Sequence, residues 1–146
     1  MRLPERMLSF FVMSTPTSHD IDLITQTSRD YIEAWYSADA ERMRRCLHPD
    51  LVKRTLFYDP EQETWLLRRP SNAEMMVEYT GKGGGSDIPE AERTYEIIFQ
   101  DVFRHIACVK VISRYMMDYL QLVRLNERWF IVNVLWELRE GKIGPE

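Results

Sequence analysis

The stretch "YLQLVRLNERWFIVNVLWELR", residues 119–139, holds two apolar runs separated by the polar segment Asn126-Glu127-Arg128. Apolar runs rich in β-branched and aromatic residues around a short polar break are typical of two antiparallel strands joined by a tight turn. Strict alternation divides the apolar side chains of the second strand between two faces: Phe130, Val132, Val134 and Trp136 on one, and Trp129, Ile131 and Leu135 on the other. Because both faces are apolar, we expect both to be covered.

The same β-prone character extends back to residue 93, and we predict four strands: Thr94–Phe103, His105–Ser113, Tyr115–Leu125 and Arg128–Leu138. Earlier in the chain, two β-rich runs flank Asp59-Pro60-Glu61-Gln62 within "LVKRTLFYDPEQETWLLRR". This pattern predicts a further hairpin with a turn of about four residues.

The first two helices are predicted from periodicity and capping residues. Apolar residues recur at three- and four-residue steps from Asp20 to Ser37, with Ser18 or Asp20 as the cap. The segment "SADAERMRRCLHPD" predicts a short second helix that is capped by Asp39 and ended by Pro49.

A third helix follows in "SNAEMMVEY", where Ser71 and Glu74 have the spacing of a capping box and Gly81 marks the end. The next segment, "GKGGGSDIPEAE", is rich in glycine but lacks the spacing of a phosphate-binding loop. We therefore predict a flexible connector. Helices early in the chain and strands late predict an α+β fold, with three N-terminal helices packed on a curved antiparallel sheet.

Composition limits the possible partners. The chain has 146 residues, enough for one domain with a substantial core, and a net charge of −4 with dispersed charges. A nucleic-acid partner is not expected, because binding to phosphates needs a basic face. A membrane partner is not expected either, because no apolar run approaches the roughly 18 residues of a transmembrane helix. The widely spaced Cys46 and Cys108 favour two reduced thiols in a cytoplasmic protein.

These features divide the chain into a flexible extension over residues 1–19, a domain over 20–140 and a short tail over 141–146. The apolar segment Met7–Met13 is too short for a secretory signal and has no cleavage pattern close behind it. Met1 and Met13 both remain possible starts.

Two segments together resemble a known family: "YIEAWYSADAERMRRCLHPD" and "DYLQLVRLNERWFIVNVLWEL". A helical Tyr and Trp, a His-Pro-Asp element and a terminal hairpin with Trp-x-Ile-x-Asn are similar to the NTF2-like superfamily of cone-shaped domains. Within it, the likeness is greatest to the family called putative lumazine-binding, a neighbour of the SnoaL-like group. That family's hairpin usually has a glycine where this chain has Asn126-Glu127. Glu disfavours positive φ, so we expect a turn of another type.

The resemblance implies a cone with one pocket, and the superfamily contains isomerases, dehydratases and cyclases as well as adaptors and dimerisation modules. Three functions therefore stay open: a binder of a small hydrophobic or aromatic molecule, a SnoaL-like lyase, isomerase or cyclase, and a dimerisation module with a filled cone. Because fold does not fix function, the site residues must decide between them.

Three polar or aromatic residues near the helices are candidates for chemistry. Tyr31 and Trp35 share one helical face, which in the resembling fold covers the mouth of the cone. They suit a phenol donor beside a stacking surface, or ordinary core packing. His48 suits a general base near neutral pH, or a residue that interacts with the C-terminus of the second helix.

Two carboxylates fall inside predicted strands. By alternation, Asp101 shares a face with Tyr95, Ile97 and Phe99, where burial would raise its pKa and suit proton transfer. If the strand bulges near its end, Asp101 lies at the rim instead. Asp118 is the weaker candidate of the two.

Aromatic and methionine residues make adaptable pocket linings as readily as ordinary cores. Besides Trp35, the expected pocket candidates are Tyr58, Trp65, Met75, Met76, Tyr79 and Trp136. We expect no cofactor, and no metal, because the three histidines are scattered. Nucleophilic catalysis is not expected either, because no nucleophile motif is present. The doubly apolar terminal strands predict a homodimer formed through the sheet face.

Overall fold

The computed structural model describes residues 17–145. Its helices are α1 (Ser18–Ser37), α2 (Ala40–Cys46) and α3 (Ala73–Gly81), with a 3₁₀ turn at Glu90–Glu92. Its strands are β1 (Leu47–Arg54), β2 (Leu56–Asp59), β3 (Thr64–Leu67), β4 (Tyr95–Phe103), β5 (Ile106–Ser113), β6 (Met116–Leu125) and β7 (Arg128–Leu138). The four predicted C-terminal strands agree with β4–β7 to within one residue. The predicted extension over residues 1–19 lies almost entirely outside the described residues.

The main sheet has the strand order β1-β7-β6-β5-β4. Neighbours from β4 to β7 are antiparallel, whereas β1 is parallel to β7 and pairs Val52 with Asn133. The predicted early hairpin is present as β2–β3, which forms a separate two-stranded sheet. The fold is therefore α+β with a mostly antiparallel sheet, as predicted, but the parallel β1 is an addition that the sequence pattern did not indicate.

The helix ends differ from the predicted ones at three places. Thr17, and neither Ser18 nor Asp20, caps α1 by accepting a hydrogen bond from the Asp20 N–H. The second helix ends at Cys46, so the predicted terminator Pro49 lies in β1. Asp39 caps this helix as predicted.

At α3 the predicted capping box is absent. Asn72 is the cap, and its side-chain oxygen accepts a hydrogen bond from the Met75 N–H at 2.9 Å. Glu74 binds Arg44 of α2 instead, at 2.6 Å. An Asn at this position satisfies the same free backbone donor that the predicted Ser would have satisfied.

The turn between β6 and β7 has two central residues with positive φ, Asn126 at 49° and Glu127 at 65°. Positive φ at both central residues is the requirement of a type I′ turn, which matches the twist of paired strands. The expectation of another turn type was wrong. The long ladder between β6 and β7 holds Glu127 in a conformation that it adopts rarely on its own.

Bulges at Gln100 in β4 and at Val132 in β7 change which side chains face the core. In β7, Val132 is the extra residue, since Ile131 pairs with Leu122 and Asn133 with Gln121. A bulge shifts the alternation by one residue. Val134 and Trp136 therefore lie on the same side as Trp129 and Ile131, and the strict division predicted for this strand was wrong.

The helices cover one face of the sheet, which we call the inner face. The core between them includes Ile24, Met43, Val109, Leu120 and Ile131, all at most 1% exposed. The opposite face, which we call the outer face, carries apolar side chains at the surface: Phe103, Ile106, Tyr119, Val123, Leu125, Phe130 and Leu135. Among the described residues, no helix is long and apolar enough to cross a membrane.

Candidate functional site

A cavity of about 610 Å³ opens at the inner face, between the end of α1, α3 and the strands β1, β6 and β7. The segment after β3 closes one side. The lining residues are Trp35, Lys53, Thr55, Arg68, Arg69, Ser71, Met75, Met76, Tyr79, Met116 and Trp136. The cavity is therefore built from aromatic rings, methionines and basic side chains.

Lys53 reaches this cavity because side chains alternate regularly between the two sides of the chain from Leu51 onward. Leu51, Lys53 and Thr55 are all buried on the inner side of the strand, while Arg54 is exposed on the other. Backbone hydrogen bonds of 2.9 Å in both directions between Lys53 and Ser71 fix the strand against the segment before α3. The lysine backbone is thus held on both sides, and its side chain is only 8% exposed.

Lys53, Tyr31 and Asp118 form a buried chain of hydrogen bonds. The Lys53 Nζ donates to Tyr31 Oη at 2.6 Å, and Tyr31 Oη donates to Asp118 Oδ2 at 2.7 Å. Asp118 Oδ1 has no hydrogen-bond partner among the described residues. The tyrosine hydroxyl therefore connects a buried ammonium to a buried carboxylate, so that each charge is compensated within the protein.

Burial shifts the pKa of every member of this group. It raises the pKa of Tyr31 well above its ordinary range, and the neighbouring Asp118 charge adds to that effect. It also raises the pKa of Asp118, although Lys53 and the Tyr31 hydrogen bond oppose the change, and it lowers the pKa of Lys53 against the attraction of Asp118. All three shifts have the sign expected when a charged form loses its hydration.

Aromatic rings surround the Lys53 ammonium. Its Nζ lies 5.2 Å from the ring centre of Tyr31, 5.8 Å from that of Trp35 and 5.4 Å from that of Trp136. A cation within about 6 Å of an aromatic face is attracted by the ring quadrupole, more strongly when water is excluded. The cage favours the charged form of Lys53.

The glycine segment between α3 and β4 holds Trp35 in place. The Gly85 N–H donates to the Trp35 carbonyl at 2.9 Å, and a Cβ at Gly85 would lie 2.9 Å from the indole ring. At Gly84, φ is +48° and a Cβ would lie 2.6 Å from the Trp35 carbonyl oxygen. The prediction of a flexible connector was wrong here, because the glycines allow close packing on the tryptophan.

Several predicted candidates meet at this site. Trp35, Met75, Met76, Tyr79 and Trp136 line the cavity. Tyr31 lies directly behind Lys53, and Asp118, the weaker of the two carboxylate candidates, is the acid that binds Tyr31.

His48 and Asp101 lie away from the cavity. His48 is in β1, where its Nδ1 accepts a hydrogen bond from the Asp50 N–H and its ring packs edge-on against Phe130. A bulge at Gln100 turns Asp101 to the outer face, where it accepts a hydrogen bond from the Val102 N–H. Of the two alternatives left open for Asp101, the structure therefore shows the one in which the strand bulges, and not the inward position that would suit proton transfer.

Tyr58 and Trp65 also lie elsewhere, because they belong to the β2–β3 hairpin. They face each other across the hairpin with ring centres 5.4 Å apart. Lys142 of the C-terminal tail lies 3.8 Å above the Tyr58 ring, and the Ile143 carbonyl accepts a hydrogen bond from the Tyr58 N–H. These two aromatics hold the tail and do not line the cavity.

The sequence reasoning missed Lys53, Arg68 and Arg69. Basic residues inside β-rich runs are expected to face solvent, so they were not considered as site residues. The one indication in the sequence is that Lys53 shares a side of the chain with Leu51 and Thr55. Among residues 17–145, no group of three or more His, Cys, Asp or Glu side chains is arranged to hold a metal ion.

Comparison with known proteins places these observations in a family. Residues 19–137 match the family described as "Putative lumazine-binding". No curated protein matches the chain.

The chain is also similar to solved structures. An NTF2-like protein of unknown function from Methylobacillus flagellatus is 21% identical, with a TM-score of 0.68 over 88% of this chain and 99% of that one. Another from Silicibacter pomeroyi is 17% identical, with a TM-score of 0.64 over 86% of this chain and all of that one. At these identities, the likeness establishes the fold.

Proposed function

Because the chain belongs to the putative lumazine-binding family of NTF2-like domains, we propose that its cone cavity binds a small, flat aromatic molecule. The observation that carries the proposal is the cavity itself. Its volume of about 610 Å³ is in the range of small-molecule sites, and Trp35, Tyr79 and Trp136 present rings to its interior. Lumazine, which the family description names, is a fused bicyclic ring system and represents the class of ligand.

Methionines make the cavity adaptable. Met75, Met76 and Met116 contribute flexible, polarisable side chains to its walls. Such side chains pack against ring edges and adjust to ligands of different outline. This composition supports a site that accepts a class of flat rings over one that fits a single shape.

Isothermal titration calorimetry with lumazine and other fused bicyclic compounds tests the proposal. We expect saturable binding of one ligand per chain, lost in Met75→Trp because the larger side chain fills the cavity. Leu67→Trp is the matched control, since Leu67 is exposed on the hairpin outside the cavity. Absence of binding across the set, or binding that Met75→Trp leaves unchanged, would contradict the proposal.

Acid–base catalysis on a ring substrate is a second candidate, and the Lys53–Tyr31 hydrogen bond beside the cavity favours it. Lys53 would lie next to a bound ring, and Tyr31 behind it would be its partner in proton transfer, as acid–base catalysis requires. The flat bicyclic ketone 2-tetralone provides a test by NMR. A catalyst accelerates exchange of the hydrogens next to its carbonyl for deuterium, and Tyr31→Phe removes the acceleration. A rate equal to that of buffer would exclude this candidate for ketones.

The outer face supports a homodimer. Ile106 is 58% exposed and Leu135 is 52% exposed. A shallow hollow of about 340 Å³ on the same face is lined mainly by apolar side chains, with Asp101, Gln121 and Asn133 among them. A self-complementary contact across a twofold axis would cover this surface without requiring a second kind of protein.

The free thiols of Cys46 and Cys108 support the expected cytoplasmic location.

A further inference from the structure

The charge of the cavity is opposite to that of the protein. The chain has a net charge of −4. Among the described residues, the cavity lining nevertheless contains Lys53, Arg68 and Arg69 and no Asp or Glu. A concave site with one sign of charge and low-dielectric walls concentrates ligands of the other sign.

The floor of the cavity presents a buried cation with donors to spare. An ammonium group has three N–H donors and no acceptor. Within the described part of the chain, the hydrogen bond of the Lys53 Nζ is the one to Tyr31 Oη. Lys53 is only 8% exposed and lines the cavity. Its two remaining N–H donors can therefore reach a ligand only from within the cavity.

The counter-ion of Lys53 lies one side chain away. Asp118 contacts the lysine only through the Tyr31 hydroxyl, with both hydrogen bonds near 2.7 Å. A buried charge is most stable with a direct, hydrogen-bonded partner of opposite sign. Among residues 17–145, the carboxylate that compensates Lys53 is bound through the Tyr31 hydroxyl, and no acidic side chain contacts the ammonium directly.

Building on the proposed function, we infer that the flat ligand of the cone carries an anionic group, a carboxylate or its equivalent, which Lys53 binds directly at the floor. Tyr31 and Asp118 position the ammonium from behind, and Trp35 and Trp136 flank it. Arg69, exposed at the mouth, adds long-range attraction for the same charge. A neutral amide is a poorer ligand, because its N–H₂ group would meet the donors of Lys53 without an acceptor.

The pair 2-naphthoate and 2-naphthamide tests this inference, because the two molecules share a ring system and nearly the same size and differ in charge. With the unmodified protein, we expect calorimetry to give roughly 10- to 100-fold tighter binding of the naphthoate, the usual range for one buried charge-assisted hydrogen bond. Lys53→Met should remove this preference. Arg54→Met is the matched control: it removes the same charge from the next residue of β1, which faces the other way, and should keep the preference.

Arg69→Met provides a second variant, at an exposed position. We expect it to lower the affinity for naphthoate by about 2- to 5-fold. Circular dichroism checks that each variant is folded. Equal affinities of the unmodified protein for the two compounds would overturn the inference and leave the proposed function intact. A preference that survives both Lys53→Met and Arg69→Met would overturn it as well, because the anion would then be bound elsewhere. No binding of either compound would overturn both the inference and the proposed function for bicyclic ligands.

Discussion

The two faces of the sheet are formed by the same strands but carry different kinds of side chain. On the inner face, helices cover the strands, and the buried polar groups Lys53, Tyr31 and Asp118 are joined by hydrogen bonds. On the outer face, apolar side chains such as Ile106 and Leu135 stay at the surface. Buried charge around a cavity is suited to a small polar ligand, whereas exposed apolar surface is suited to another protein. The difference separates the proposed ligand site from the proposed interaction site on one scaffold.

The alternation of strand residues connects the two faces. In β6, Asp118 points inward toward Tyr31, and its neighbour Tyr119 points outward and is 46% exposed. In β1, Lys53 and Arg54 are divided in the same way. Substitutions at adjacent positions therefore report on opposite faces, which gives each experiment an internal control.

Asp118→Ala should produce the largest change in stability. Removing the carboxylate leaves the Lys53 ammonium buried without its counter-ion, which costs about 3–5 kcal/mol of unfolding free energy. Adding Lys53→Met removes the uncompensated charge and should restore much of the loss. Urea denaturation of the single and double variants measures both effects. A double variant that is less stable than Asp118→Ala would contradict this account of the inner face.

Leu135→Glu should change assembly more than folding. A carboxylate on the outer face would be buried in both copies of a twofold interface, at a cost of about 1–3 kcal/mol for each copy. We expect light scattering to report a monomer for this variant and a dimer for Leu67→Glu, which makes the same change on the exposed hairpin. If Leu135→Glu leaves the mass unchanged, the outer face is not the interface.

The difference in stability between the unmodified protein and Asp118→Asn should depend on pH. Burial raises the pKa of Asp118 above its ordinary 3.8, so the folded state binds the proton more readily than the unfolded state. The contribution of this group to stability is therefore fully present below 3.8 and is lost as the pH rises through the folded-state pKa. Chemical denaturation at a series of acidic pH values measures the free energy of unfolding of both proteins. In Asp118→Asn, the part of its pH dependence that comes from Asp118 should be missing. A constant difference across the series would mean that the Asp118 pKa is the same in both states.

The smallest expected effect is a difference in chemical reactivity between the two cysteine thiols. Burial raises the pKa of Cys46 to about 12, whereas Cys108 is half-buried in β5. The thiolate is the reactive form, so in Leu135→Glu, where the outer face that carries Cys108 is uncovered, iodoacetamide should alkylate Cys108 at neutral pH and Cys46 only after unfolding. Peptide mass spectrometry after timed alkylation distinguishes the two. Equal rates would show that the region around Cys46 opens readily.

The strands and helices could be predicted because their patterns are local. The apolar runs of β6 and β7 and the capping residue Asp39 carry their information within a few neighbours. The predicted α+β cone and its family were confirmed by the match over residues 19–137. Cap positions such as Asn72 differ from the prediction by one residue, because adjacent polar residues compete for the same role.

The site could be predicted only in part, because bulges and long-range pairing decide it. The bulge at Gln100 turns Asp101 outward, and the bulge at Val132 brings Trp136 inward. Neither bulge has a glycine or other local marker. Lys53 became a site residue only through the pairing of β1 with β7 and the bridge to Ser71, which lie far apart in sequence.

Native mass spectrometry with added 2-naphthoate tests the central claim most directly, because it observes both faces in one experiment. We predict a species of twice the chain mass that takes up as many as two ligands, and a dimer without ligand when Met75→Trp fills the cavity. A monomer that takes up ligand would contradict the role given to the outer face. A dimer without ligand at saturating concentrations, for the unmodified protein, would contradict the role given to the inner face.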